Sequence, residues 1–205
     1  MNAEKIPDII IGRLPIYLRA LQHMFDRGIQ TTSSQELGEV VGISAAQIRK
    51  DISQFGEFGK QGTGYNIQFL LGRLREILKV NRTWEVALVG MGDMGHALSR
   101  YQGFANRGFH IALFFDNDQS KVGQKVGDFV VKDTADLAEE IRKEGIKIAM
   151  LTVPPSAAQE VADQLVKAGI KAILNYSPIS INVPPGVKVQ YIDPSTHLQR
   201  MTYYL

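Results

Sequence analysis

Residues 88–98, LVGMGDMGHAL, leave few folds open to this chain. The run EVALV before it has strand length and β-branched content, and HALSRY after it begins like a helix. Glycines at 90, 92 and 95 between them match the strand–turn–helix fingerprint of a dinucleotide-binding crossover. In that pattern Gly90 makes the tight turn, Gly92 lets a pyrophosphate approach backbone N–H groups, and Gly95 lets the helix pack closely. Met91, Asp93 and Met94 are the other members of the loop. Asp93 brings negative charge to it, which works slightly against pyrophosphate.

Downstream of residue 82, apolar runs of strand length alternate with amphipathic helical segments. The runs are VALVG (86–90), IALFF (111–115), IAMLTV (148–153) and AILN (172–175). Such alternation predicts an α/β domain with a mostly parallel sheet. The run FHIALFFD ends at Asp116, about 20 residues beyond the loop, where a carboxylate binds a ribose 2′-hydroxyl and repels a 2′-phosphate. NAD(H) is therefore expected over NADP(H). Ligands of these sheets sit outside the carboxyl ends of the strands, so Pro154 and Asn175 are candidates for the nicotinamide pocket. Coenzyme A or a mononucleotide in the same cradle stays open on these residues alone.

Upstream of residue 82 the periodicity is helical. Ser33 with Glu36 and Ser44 with Gln47 each have the spacing of a capping box, so short helices are expected to start at 34 and 45 around a turn at Gly42. Ile48, Ile52 and Phe55 form the buried stripe of the second helix and leave Gln47, Arg49, Lys50 and Ser53 on its other sides. This is the arrangement of a helix-turn-helix, with those four side chains as the candidate DNA contacts. Asp51 reads as an orienting partner or as an i,i+4 charge neighbour. The following GEFGKQGTGYNI has glycines at 56, 59, 62 and 64 and predicts a hairpin wing carrying Lys60. Residues 1–82 hold 11 Lys/Arg against 8 Asp/Glu, and the rest 12 against 13. The small excess of positive charge thus sits in the segment with DNA-binding logic.

The expected organisation is a winged-helix domain over 1–80, a Rossmann domain over 84–192, and a terminal helix over 193–205 starting at Asp193-Pro194. Leu198, Met201 and Leu205 give that tail an apolar face needing a surface to cover, on its own sheet or on a second subunit. No apolar run reaches the length of a membrane span, the first residues lack a secretory pattern, and the chain has no cysteine for disulfides or thiolate metal sites. A cytoplasmic protein without a bound metal is expected. Hydride transfer would need a positioned acid. None of His23, His96, His110 and His197 is obviously placed for it, and little chain remains for a substrate domain. The residues favour a sensor over an enzyme. An oxidoreductase with a partner-binding N-terminus is the rival reading.

The chain resembles the Rex family of redox-sensing transcriptional repressors. The resemblance runs over nearly its whole length, through YLRAL (17–21), TSSQELGE (32–39), QIRKDISQFGEFGKQGTGY (47–65), TVPPSAAQ (152–159) and AGIKAILNYSP (168–178). It implies a homodimer with its last helix swapped into the partner, bound to a palindromic operator when NAD+ prevails and released by NADH. It further implies operator contacts from Arg49 and Lys50, a nicotinamide pocket near Pro154 and Asn175, and an inter-domain relay of Arg19, Tyr101 and Asp193. Where some members carry Arg in the wing this chain has Gln61, which leaves Lys60 as the wing's cation.

Overall fold

The computed structural model describes residues 6–60 and 64–205, with Lys60 described by its backbone alone. The chain divides into two compact units, Met1–Arg82 and Thr83–Leu205.

In the first unit, α1 (Asp8–Asp26) buries Ile10, Leu14, Tyr17, Leu21 and Met24, a stripe at helical spacing. A short strand β1 (Thr31–Thr32) precedes α2 (Ser34–Val41) and α3 (Ala45–Ser53). The Ser33 hydroxyl accepts from the Glu36 N–H while the Glu36 carboxylate accepts from the Ser33 N–H, a complete capping box. That backbone donation, with further bonds from Ser33 and Thr32, holds the Glu36 carboxyl below its usual value. Gly42 ends α2 in the left-handed region, φ 70°. A Cβ on Gly38 would lie 2.5 Å from the Ile43 carbonyl, so glycine lets the chain double back into α3 at close range.

The Ser44–Gln47 box is a correction to the sequence reading. Ser44 accepts from the Gln47 N–H at 3.3 Å, but the Gln47 side chain does not return to Ser44. Its amide is held instead by the Asp51 carboxylate one turn along, to which Nε2 donates. The hairpin is present: β2 (Gly59–Lys60) pairs antiparallel with β3 (Gly64–Asn66), and β3 pairs with β1. Then α4 (Ile67–Ile77) closes a core of Leu14, Tyr17, Leu37, Ile48, Ile52 and Leu70.

The second unit is built on a seven-stranded sheet. Its strands are β4 (Trp84–Val89), β5 (Phe109–Asp116), β6 (Lys125–Val126), β7 (Phe129–Asp133), β8 (Ile148–Leu151), β9 (Ala172–Asn175) and β10 (Lys188–Tyr191). The spatial order is β10-β9-β8-β4-β5-β7-β6, parallel throughout except for the β6–β7 pair. Helices α5 (Asp93–Ser99), α6 (Leu137–Glu144) and α7 (Pro155–Ala168) make the crossovers. Along β4, Ala87 and Val89 face one apolar layer and Val86 and Leu88 the other, which is why the strand reads as a continuous apolar run. The chain leaves β4 toward β5 and β7, then returns to β8 on the other side, placing the switch point between β4 and β8. The strands β6, β7 and β10 went unread in the sequence, because KV, FVVKD and KVQY are short and half polar. The expected strand 148–153 stops at Leu151, since Thr152 turns its hydroxyl back to the Val89 and Gly90 carbonyls.

The tail forms α8 (Pro194–Thr202), capped by Asp193. Leu198 and Met201 on it are exposed, and Leu205 lies past its end.

Candidate DNA-reading and dinucleotide sites

Helix α3 presents two kinds of side chain. Arg49, Lys50 and Ser53 are exposed, while Gln47 is half-buried on a flank. Arg49 Nη1 donates to the Ser34 Oγ at 2.8 Å, tying the first turn of α2 to α3, and the Ser53 hydroxyl donates back to the Lys50 carbonyl. Lys50 is thus the fully outward cation of the helix. The Lys60 side chain and Gln61 lie outside the described residues.

Behind that face stands Asp51, completely buried. Its Oδ2 accepts from Arg13 Nε at 2.6 Å and from the Tyr17 hydroxyl at 2.7 Å. Its Oδ1 accepts from Arg13 Nη2 at 2.7 Å and from Gln47 Nε2 at 2.6 Å. Two oxygens offer about four acceptor positions, and all are filled. Burial pushes the carboxyl up, but the bonds from Arg13, Tyr17 and Gln47 outweigh it and hold it below the usual aspartate value. The same contacts act in reverse on Tyr17, whose hydroxyl is pushed up by burial and by the carboxylate beside it. Arg13 and Tyr17 were missed by sequence reasoning. The signal available was their i,i+4 spacing on α1, which puts a polar pair beside an apolar stripe.

In the second unit the glycines do distinct work. Gly90 has φ 102°, and a Cβ there would lie 2.7 Å from the Thr152 carbonyl across the switch point. A Cβ on Gly95 would run into the Gly90 carbonyl, so the helix seats directly on the turn. Beside Gly92 there is open space, the room a cradle for phosphates requires. Asp93 and Met94 are exposed in the first turn of α5, whose N–H groups have no carbonyl within their own helix. Met91 differs: its side chain is buried, and its N–H donates to Asp116 Oδ2 at 2.6 Å.

Asp116 is nearly as buried as Asp51 but is held differently. Besides Met91, it takes the Asp118 N–H on Oδ1 at 2.9 Å and Lys121 Nζ on Oδ2 at 3.2 Å. Three donors leave one acceptor position on Oδ1. Lys121 is a second residue the sequence reading missed, since a lysine in a polar loop carries no mark of its partner.

At the carboxyl ends of β8 and β9, Pro154 is exposed at the start of α7. Asn175 is fully buried: its Nδ2 donates to the Ile179 carbonyl at 3.0 Å and its Oδ1 accepts from the Ser177 N–H at 2.9 Å. The Ser177 hydroxyl donates to the Val153 carbonyl at 2.6 Å. Asn175 therefore braces the turn that follows β9 from within. Of the three residues that the family resemblance implies as a relay, Arg19 is exposed on α1. The Tyr101 hydroxyl accepts from Arg107 Nη1 at 3.0 Å, and Asp193 Oδ1 accepts from the N–H and hydroxyl of Ser195.

Two family models match the chain, one described as the N-terminus of putative DNA-binding proteins over residues 5–53 and one as a CoA binding domain over 81–179. A redox-sensing transcriptional repressor Rex of Chloroflexus aggregans is 49% identical, covering 100% of this chain and 96% of the relative. A Rex of Carboxydothermus hydrogenoformans is 43% identical over 99% of this chain and 98% of its own. Among solved structures, RSP in complex with β-NAD+ and operator DNA matches with a TM-score of 0.92 at 36% identity, covering 98% of this chain and 92% of that one. RSP in complex with β-NADH matches at 0.89 and 35% identity, over 97% and 93%.

Proposed function

This chain belongs to the Rex family of redox-sensing transcriptional repressors, and from that premise we propose that it grips a palindromic operator as a homodimer through α3 and lets go when NADH occupies the second unit. The observation that carries this reading is that one chain holds both parts: an exposed cationic face on the second helix of a capped pair, and a glycine crossover closed by Asp116.

The residues fit a dinucleotide. Gly92 leaves space for the pyrophosphate, the first turn of α5 offers N–H donors, and Asp116 keeps one acceptor for a ribose hydroxyl. When bound, the dinucleotide supplies a ring that differs between its two redox forms by a hydride and one positive charge. In this reading the ring lies against the exposed Pro154 and the turn that Asn175 and Ser177 brace. A ligand shifts a conformational equilibrium only by its differential affinity, so the site must hold the two ring forms unequally. The match to a CoA-binding family model concerns residues 81–179 alone.

On the operator, Arg49, Lys50 and Ser53 meet the major groove, with Gln47 reading from the flank and Lys60 from the wing. Arg19, Tyr101 and Asp193 exchange partners between the two states, and α8 docks its exposed Leu198 and Met201 on a second copy. The work is done in the cytoplasm, where operator and nucleotide pool meet. Among the described residues no helix is long and apolar enough to cross a membrane.

The test is a gel-shift on a palindromic operator, titrated in turn with NADH, NAD+, NADPH and coenzyme A. Release by NADH alone is expected. By linkage, saturating operator weakens NADH binding by the same factor. Steady NADH turnover without DNA binding would overturn the reading in favour of an enzyme, and release by coenzyme A in favour of a CoA-responsive regulator.

A further inference from the structure

An amide has a donor end and an acceptor end, and which end faces outward decides what it can read. Gln47 is the third residue of α3, in the first turn, the part of a recognition helix whose side chains reach base edges. Its Nε2 lies 2.6 Å from Asp51 Oδ1. A carboxylate only accepts, so the NH2 end of Gln47 must face Asp51 and the amide cannot be turned round. Asp51 is itself immobile, buried and filled by Arg13, Tyr17 and Gln47. One N–H of Gln47 is consumed. With the N–H trans to Oε1 given to Asp51, Oε1 and the second N–H remain side by side on one edge.

We propose that Asp51 is a positioning residue that locks Gln47 to present this acceptor–donor edge, and that Gln47 thereby selects adenine at one position of each operator half-site. Adenine offers the complement in the major groove, an N6 amino donor next to the N7 acceptor, and a glutamine amide matches both. Guanine puts an acceptor, O6, where N6 stood, and faces Oε1 with repulsion. A free glutamine could turn its amide over to seek a different base edge; one pinned by Asp51 cannot. The inference rests on the reading of α3 as the DNA-contacting helix.

The experiment begins by selecting the preferred duplex of the full-length chain from a random palindromic library. Adenine is expected at one position per half-site. There, 7-deazaadenine (no N7) and a purine lacking the N6 amino group should each lower wild-type affinity several-fold to about tenfold. Gln47→Ala should respond to either analogue by less than twofold. Gln47→Glu cannot donate to Asp51 or to N7 and should shift the preference toward cytosine, whose N4 donates.

Failure of wild type to select any duplex would overturn the DNA-binding reading as a whole. Selection with analogue responses unchanged in Gln47→Ala would overturn this proposal and leave that reading standing. The part of Asp51 is tested in Asp51→Asn, which should still bind the operator but lose the adenine response; a folded variant that keeps it refutes the positioning role. Should Asp51→Asn not fold, the wild type still decides by nuclear magnetic resonance. One Gln47 side-chain amide proton should be shifted downfield and slow to exchange with solvent. Two fast-exchanging protons would refute the lock.

Discussion

Two buried aspartates organise the two units, and they differ in how their oxygens are used. Asp51 is closed: Arg13, Tyr17 and Gln47 fill every acceptor position, all from side chains. Asp116 is held by two backbone N–H groups and Lys121, and one position on Oδ1 remains. A closed carboxylate can only position the side chains that already fill it. An open one can also hold a ligand, because a donor arriving from outside finds an acceptor that is already fixed. Burial alone would have ranked the two as alike; counting donors separates them.

The strongest test of the contrast is removal of each carboxylate. Asp51→Ala leaves Arg13 and Tyr17 facing a void in the core of the first unit. Breaking one side of a buried, hydrogen-bonded pair typically costs about 3–5 kcal/mol. Urea denaturation should show the first unit losing most of its stability. Asp116→Asn keeps the shape and an acceptor but weakens the charge-assisted bonds. It should lower NADH affinity about 10- to 100-fold, the range of roughly 1.5–3 kcal/mol for a hydrogen bond to a charged group. Operator binding without NADH should stay within about twofold. A similar stability loss in both variants, with NADH affinity unchanged in the second, would erase the distinction.

Acid sharpens the same comparison. Since the folded Asp51 carboxyl is held below its unfolded value, its contribution is fully present above the unfolded value of about 4 and is lost as pH falls through the folded value. The wild type should therefore lose melting temperature more steeply below about pH 4 than Asp51→Asn, which has no such proton to take up. Other carboxyls held low, Glu36 and Asp193 among them, titrate in both chains and cancel in the difference. Parallel curves would show that Asp51 contributes nothing through its charge.

What was legible in the sequence follows from how local the cause is. The Ser33 cap, the turns at Gly42 and Gly90 and the close helix packing at Gly95 each depend on residues within a few positions, and each is found as read. The β4, β5, β8 and β9 core strands carry enough apolar residues to announce themselves, whereas the edge strands β6 and β10 do not. Partners distant in sequence were out of reach. Nothing in QIRKD says that Asp51 meets Arg13, 38 residues away, or that this meeting draws Gln47 off its cap. Asn175 reads as a pocket residue by its place at a strand end, yet its amide is turned inward to Ile179 and Ser177.

Lys121 tests the open side of the comparison with the smallest effect. A carboxylate at the end of β5 disfavours a 2′-phosphate, but Lys121 Nζ stands 3.2 Å from Asp116 Oδ2 and 3.8 Å from Asp118 Oδ2 and sets a positive charge beside it. The Asp116 partner is buried but the lysine is partly exposed and screened by solvent, so the pair is discounted to about 0.2–1 kcal/mol. Lys121→Ala should leave the fold intact and free a second acceptor position on Asp116. NADH affinity should change by less than about threefold while NADPH affinity falls further, widening the ratio between them by roughly two- to fivefold. Lys121→Glu should widen it more by adding a second like charge. If both substitutions leave the NADH:NADPH ratio untouched, Lys121 serves only to steady the loop, and discrimination rests on Asp116 alone.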